Sequence, residues 1–167
     1  MPLSTRNAAN PEAIKVSYML RGEVRTDAII ADARPFGIER TLDGQRSYLF
    51  FPGIEADCAS EPIDASDTNR SSLAKKFAAY LAIADQGLYR THFGFPNFFV
   101  PFITTSDVRM RSMIELVMRL TQRRGSRIIL FKTHPSFTSF EKPPAAGGHM
   151  LTTPWERAGF PPLFLDR

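Results

Sequence analysis

Short apolar runs separated by turn residues dominate the first third of the chain. The runs from Ile14 to Leu20 and from Ala28 to Ile38 contain Ile, Val and Tyr, which favours β-strands. Asp43-Gly44 favours the positive φ angles of a tight hairpin. We therefore expect the run from Arg46 to Asp57 to pair antiparallel with the strand that carries Asp32.

Proline and glycine interrupt two of these runs. Pro35 and Gly37 lie within the second predicted strand, and Pro52 and Gly53 lie within the run that follows the hairpin turn. Proline removes a donor from a strand ladder, and glycine in a strand often marks a bulge. The sequence thus predicts a disturbed second strand and a bulge at Pro52-Gly53.

Two later segments have the spacing of amphipathic helices. Apolar residues recur at helical intervals from about Arg70 to Gln86, and again from about Asp107 to Arg124 before a stop at Gly125. The runs Phe98 to Thr104 and Arg127 to Lys132 are predicted strands. Strands that alternate with helices indicate one α/β domain with a sheet flanked by helices.

The segments around this pattern differ in composition. Residues 1–13 are polar and are expected to form a flexible arm, residues 14–141 an α/β core, residues 142–148 a Pro/Gly-rich loop and residues 149–167 a C-terminal segment that packs on the core. Cys58 is the single cysteine, so no intramolecular disulfide forms. No run of about 18 apolar residues is present. We expect a soluble, cytoplasmic protein without a membrane partner.

The net charge of +4 is only mildly basic, but six arginines lie close together in one stretch, namely Arg109, Arg111, Arg119, Arg123, Arg124 and Arg127. Asp107, Arg111, Glu115 and Arg119 follow each other at four-residue spacing with alternating sign, which is typical of a solvated helix face. Arg109 instead shares the apolar stripe and requires an anion, either a carboxylate of the protein or a phosphate. The predicted DNA-binding residues are Arg109, Arg123, Arg124 and Arg127.

Three acidic residues form the most informative constellation. Alternation along a strand places Glu55 and Asp57 on one face, and the hairpin register is expected to bring Asp32 beside them. Convergent carboxylates bind Mg²⁺ or Mn²⁺, which lowers the pKa of a bound water and offsets charge on a phosphodiester. The alternative is that these acids solvate the open face of an antiparallel sheet.

Lys76 and Tyr80 lie one turn apart on the helix that follows the acids. Lys76 is placed to reach the acid cluster, and its ammonium would neutralise part of the negative charge. The alternative is that Lys76 extends to solvent like Lys75 while Tyr80 belongs to the core.

The order of these motifs resembles the replication-relaxation family of plasmids and other mobile elements. The likeness covers roughly residues 28 to 160 and rests on ADA (31–33), IEADCASEP (54–62), KFAAYLAI (76–83), FG (93–94), FVPFITTSDVRM (99–110) and PWERAGF (154–160). Members of that family typically carry a winged-helix segment before this region, which suggests that this chain is a short member or a fragment. Ala31 stands where the family usually has proline, and Cys58-Ala59-Ser60 replaces a common Arg-Gly-Thr.

The resemblance implies a restriction-endonuclease-like core of the PD-(D/E)XK type, with an antiparallel hairpin and further strands in one sheet. It implies that Asp32, Glu55 and Asp57 are metal ligands, that Lys76 is the catalytic lysine and that Tyr80 supports the site. The expected function is that of a DNA-associated, Mg²⁺-dependent phosphodiesterase in plasmid replication or transfer. The alternative is a non-catalytic module that binds DNA, another copy of itself or a replication or transfer protein, with a vestigial acidic site.

Overall fold

The computed structural model describes residues 11–59, 61–64, 72–134 and 148–167, and within them the chain is a mixed α/β fold. The strands are β1 (Ile14–Leu20), β2 (Glu23–Ile29), β3 (Phe36–Leu42), β4 (Gln45–Phe51), β5 (Glu55–Asp57), β6 (Val100–Thr104), β7 (Ile129–Thr133), β8 (Trp155–Arg157) and β9 (Phe160–Leu163). The helices are α1 (Leu73–Asp85), α2 (Leu88–Phe93), α3 (Asp107–Leu120) and α4 (His149–Thr152).

Two antiparallel hairpins form the first half of the fold. β3 pairs with β4 across Asp43 and Gly44, which have φ angles of 48° and 76°, so the predicted tight turn is confirmed. β1 pairs with β2 across Arg21 and Gly22, which have φ angles of 53° and 82°. The second hairpin was not predicted, because Arg-Gly is a much weaker turn signal than Asp-Gly.

The predicted strand from Ala28 to Ile38 is wrong, because β2 ends at Ile29 and β3 begins only at Phe36. Asp32 lies in the connection between them. The predicted single run to Asp57 also divides at Pro52-Gly53 into β4 and β5, which belong to different sheets. The predicted antiparallel pairing of an Asp32 strand with the Glu55 strand is therefore wrong.

A five-stranded mixed sheet forms the centre of the fold, in the order β5-β6-β7-β8-β9. β5, β6 and β7 are parallel, whereas β8 and β9 are antiparallel additions. The expected mixed α/β class with flanking helices is confirmed. The expectation that the β3–β4 hairpin shares this sheet is wrong, because that hairpin forms a two-stranded sheet of its own.

Side chains that alternate along the strands of the sheet belong to two apolar clusters, one on each face. On one face, Phe77 of α1 makes edge contacts with Phe102 and Phe131, at ring centroid separations of 4.7 and 5.8 Å. The β1–β2 hairpin and α3 complete that cluster. On the other face, Phe51 of β4 packs with Leu130, Trp155 and neighbouring side chains. β5 lies at one edge of the sheet, and its buried side chains Glu55 and Asp57 face the side of the sheet that carries α1 and α3.

The helix ends differ from the predicted ones. α1 begins at Leu73, where the Ser72 side chain accepts a hydrogen bond from the Lys75 backbone N–H. α3 ends at Leu120 rather than at Arg124, because Gln122 and Arg123 have left-handed φ angles of 51° and 65°, which no α-helix can continue through. The Thr121 hydroxyl, which donates to Val117 O at 2.8 Å and accepts from Gly125 N at 3.0 Å, stabilises this end.

Parts of the predicted arm and loop lie outside the described residues, namely 1–10 and 142–147. None of the helices in the described ranges combines the length and apolar character that crossing a bilayer requires.

Candidate functional site

Gly53 positions Asp32 beside β5. Gly53 has a φ of 152°, and a Cβ at this position would lie 2.1 Å from Ala33 O, so only glycine permits this close approach. Continuing the β3–β4 register past Phe36 and Phe51 would place Asp32 opposite Glu55. Asp32 Oδ2 accepts a hydrogen bond of 2.9 Å from Ala56 N. The predicted proximity of Asp32 to the acids is thus achieved by a side chain on a loop, without a strand ladder.

Glu55 is buried on the helix side of β5, with 2% of its surface exposed. The Tyr80 hydroxyl donates to Oε1, and the Lys76 ammonium lies 3.1 Å from Oε2. Lys76 also forms an ion pair of 3.6 Å with Glu61. The prediction that Lys76 reaches the acids is confirmed, and Tyr80 is both a core residue and a donor to Glu55.

Burial and charge oppose each other at this pair. Burial raises the pKa of Glu55 above its ordinary value, against the effect of the Lys76 charge and the Tyr80 hydrogen bond. Burial lowers the pKa of Lys76, but Glu55, Glu61 and Asp32 together outweigh burial and the net shift is upward. Burial and the Glu55 charge both raise the pKa of Tyr80. The hydroxyl therefore stays protonated and donates to the carboxylate.

Asp57 is bound by a bidentate arginine. Arg109 Nε and Nη2 lie 2.5 and 2.7 Å from the two carboxylate oxygens, and Thr104 Oγ1 donates to Oδ2 at 2.8 Å. Arg109 Nη2 also donates to Glu61 O at 2.6 Å. Burial raises the pKa of Asp57, but the Arg109 and Thr104 hydrogen bonds outweigh burial and lower the pKa overall. Of the two anions predicted for Arg109, the structure places a carboxylate against it.

Both strand acids face the helix layer, as the alternation along β5 predicts. Between them and the Asp32 loop lies a pocket of about 180 Å³ lined by Asp32, Glu55, Ala56, Asp57, Glu61, Leu73, Lys76 and Phe102. The pocket gathers acids from three separate segments around one lysine.

The expected three-carboxylate metal centre does not fit this arrangement. Both oxygens of Asp57 accept hydrogen bonds from Arg109, and both oxygens of Glu55 have donors from α1. Of the three acids, only Asp32 keeps an oxygen without a described partner. Across the described ranges, no group of three or more His, Cys, Asp or Glu side chains is placed to bind a metal ion.

A second cluster of charges lies where α3 ends. Arg123 pairs with Glu115 at 3.0 Å, while Arg124 and Arg127 are exposed in the loop that leads to β7. The alternating charges of α3 are all exposed, which confirms the predicted solvated face. The β8–β9 turn brings Arg157 beside this loop. Arg157 was not among the predicted DNA-binding residues, because the sequence shows only a single basic residue within a segment expected to pack on the core.

Comparison of the chain with protein-family models, with curated proteins and with solved structures finds no match in any of the three. The expected kinship with replication-relaxation proteins therefore rests on the motifs quoted from the sequence.

Proposed function

We propose that this chain is a DNA-associated domain that binds the phosphate backbone without cleaving it. The observation that carries the proposal is the row of exposed arginines on α3 and its following loop, namely Arg111, Arg119, Arg123, Arg124 and Arg127. Guanidinium groups bind phosphate bidentately, and this contact requires no particular base sequence. The motif resemblance to replication-relaxation proteins supports a plasmid or another mobile element as the setting.

The pairing of the acids supports a structural role for the pocket. Asp57 anchors α3 to β5 through Arg109, and Glu55 anchors α1 to β5 through Lys76 and Tyr80. Buried charges need such partners, because an unpaired carboxylate in this environment costs several kcal/mol, roughly. The cluster thus joins two helices to the edge strand. Under this proposal, DNA binds to the exposed arginines of α3 and its following loop.

The test is the salt dependence of binding to a short fluorescein-labelled duplex, followed by fluorescence anisotropy. Neutralising about four phosphates gives a log–log slope of about −3 to −4. The double variant Arg123→Gln/Arg124→Gln should flatten the slope by about 2 if both residues contact phosphate. The charge-matched control Arg34→Gln/Arg46→Gln lies outside α3 and its following loop and should leave the slope unchanged. A slope near zero for the unaltered chain would refute DNA binding.

A second candidate is the Mg²⁺- or Mn²⁺-dependent phosphodiesterase of a restriction-endonuclease-like core. The convergence of Asp32, Glu55 and Lys76 on one pocket favours it. With Asp57 held by Arg109, Asp32 and Glu55 would hold the ion, which would lower the pKa of a bound water and offset phosphate charge. Lys76 would have to leave Glu55, and its ammonium would then supply a donor for a phosphate oxygen.

Cleavage assays separate the two candidates. Supercoiled, linear duplex and single-stranded DNA are incubated with the chain in Mg²⁺ or Mn²⁺, and products are resolved on gels. The phosphate-binding proposal expects no cleavage above that of a buffer control. Cleavage that is lost in Glu55→Gln and in Lys76→Met but kept in the surface control Glu39→Gln would establish the phosphodiesterase instead.

A further inference from the structure

Gly125 and Ala158 hold two arginine-bearing turns against each other. Ser126 N donates to Ala158 O at 2.8 Å, and a Cβ on Gly125 would lie 2.2 Å from that same oxygen. Gly125 also has a φ of 73°, so glycine is required here for both its backbone angle and the close approach. The contact fixes the loop after α3 beside the β8–β9 turn and so brings Arg127 close to Arg157.

The guanidinium groups at this junction differ from the paired arginines elsewhere in the fold. Among the described residues, no carboxylate lies within ion-pair distance of Arg124, Arg127 or Arg157, although the chain pairs other arginines such as Arg109 and Arg123. Burial and the charge of Arg127 both lower the pKa of Arg157, which remains a cation. Two like charges held close to each other favour an anion between them.

Backbone and ring contacts restrain these side chains while leaving nitrogens available. Arg157 Nε donates to Pro161 O at 2.6 Å, and Arg124 Nε donates to Thr121 O at 3.2 Å. The Arg127 guanidinium lies 4.9 Å from the centroid of the Phe160 ring. The terminal nitrogens of Arg127 and Arg157 have no partner in the part of the chain that the structure describes. Side chains restrained in this way lose less entropy when they bind a ligand.

We propose that Arg127 and Arg157 form a binding site for one backbone phosphate of DNA. The site rests on the proposed DNA-binding function and adds to it a particular contact, which includes a residue from the C-terminal segment. The planar guanidinium matches the tetrahedral oxygens of a phosphate, which accepts hydrogen bonds from two arginines at once. A phosphate bound there lies beside Phe160, next to the turn between β8 and β9.

Single neutral variants test the site on the full chain. Arg157→Gln and Arg127→Gln should each weaken binding of the labelled duplex about tenfold at low salt, as expected for the loss of a charge-assisted contact of roughly 1.4 kcal/mol. Each should flatten the salt slope by about 1. Arg157→Lys keeps the charge but loses the bidentate geometry, so its affinity for the duplex should lie between those of the unaltered chain and Arg157→Gln. The control Arg46→Gln removes the same charge from β4 and should stay within about twofold of the unaltered chain.

Four outcomes decide the proposal. Weaker duplex binding in both Arg127→Gln and Arg157→Gln supports it. Thermal melts check that Arg157→Gln, which loses the bond to Pro161, stays folded. Duplex binding that neither variant weakens overturns the site and leaves the proposed function standing. A third outcome is that the chain does not bind DNA, but inorganic phosphate shifts the amide resonances of Ala158 and Gly159 in the unaltered protein and not in Arg157→Gln. This result would support the anion site and refute DNA binding. If neither ligand binds, both fail.

Discussion

The ion pair between Asp57 and Arg109 offers the sharpest test of how the acidic cluster stabilises the fold. Its side chains are only 3% and 16% exposed, and Arg109→Met removes two hydrogen bonds to Asp57 and one to Glu61 O. The carboxylate of Asp57 then stays buried without its cation. Removing one partner of a buried pair costs about 3–5 kcal/mol, a large part of a total stability of about 5–15 kcal/mol.

Urea unfolding at neutral pH measures this cost. With a denaturant slope of about 2 kcal/mol per molar, the midpoint of Arg109→Met should fall by about 2 M. The double variant Arg109→Met/Asp57→Asn should recover part of the loss, because no charge is left unpaired, and a coupling energy of about 0.5–3 kcal/mol is expected. The exposed pair Glu39–Arg46 is the control, since its side chains are 50% and 75% exposed and its removal should cost under about 1 kcal/mol.

A loss of less than about 1 kcal/mol in Arg109→Met would contradict this role of the ion pair, and so would simple additivity of the single variants Arg109→Met and Asp57→Asn. Either result would mean that water reaches Asp57 and solvates it without the arginine. Arg109 would then neither neutralise Asp57 nor anchor α3 to β5.

The same pair predicts a dependence of stability on pH. The folded pKa of Asp57 is lowered, so the pair contributes stability that is fully present above the unfolded pKa of about 3.9 and is lost as the pH falls through the folded value. The folded pKa of Glu55 is raised, so its contribution to stability is greatest at low pH and is lost as the pH rises through the folded value. Urea midpoints from pH 7 down to 3 should fall less steeply in Asp57→Asn than in the unaltered chain. Equal slopes would contradict the pairing.

Two further substitutions test how the pocket is built. Tyr80→Phe removes a donor from buried Glu55 and should lower the free energy of unfolding by about 1–3 kcal/mol, whereas a neutral effect would show that Glu55 is satisfied without it. Gly53→Ala should cost more than Gly44→Ala, because both glycines have positive φ but only the Cβ at position 53 would strike Ala33 O. Equal thermal shifts would refute the close approach.

Local patterns determined much of the secondary structure. The Asp43-Gly44 turn, the apolar periods of α1 and α3 and the existence of strands β6 and β7 each follow from residues within one segment. The same holds for the common face of Glu55 and Asp57, which strand alternation alone requires. The position of Lys76 on the helix after the acids also made its contact with the acid cluster predictable, whereas the hydrogen bond from Tyr80 to Glu55 is known only from the structure.

Tertiary structure alone decided which sheet each strand joins and which partner each charge receives. No local signal shows that Gly53 turns the chain out of the hairpin into another sheet, because the cause is the approach of Ala33 from a distant segment. Arg109 needed an anion on sequence grounds, but only the packing of α3 on the sheet beside β6 and β7 brings it to Asp57 and selects this carboxylate over a phosphate. Arg157 lies beside Arg127 for the same reason, since the contact of Gly125 with Ala158 joins turns that have no common period. Periodicity reports which side of an element is buried, whereas the partner found there depends on how distant segments pack.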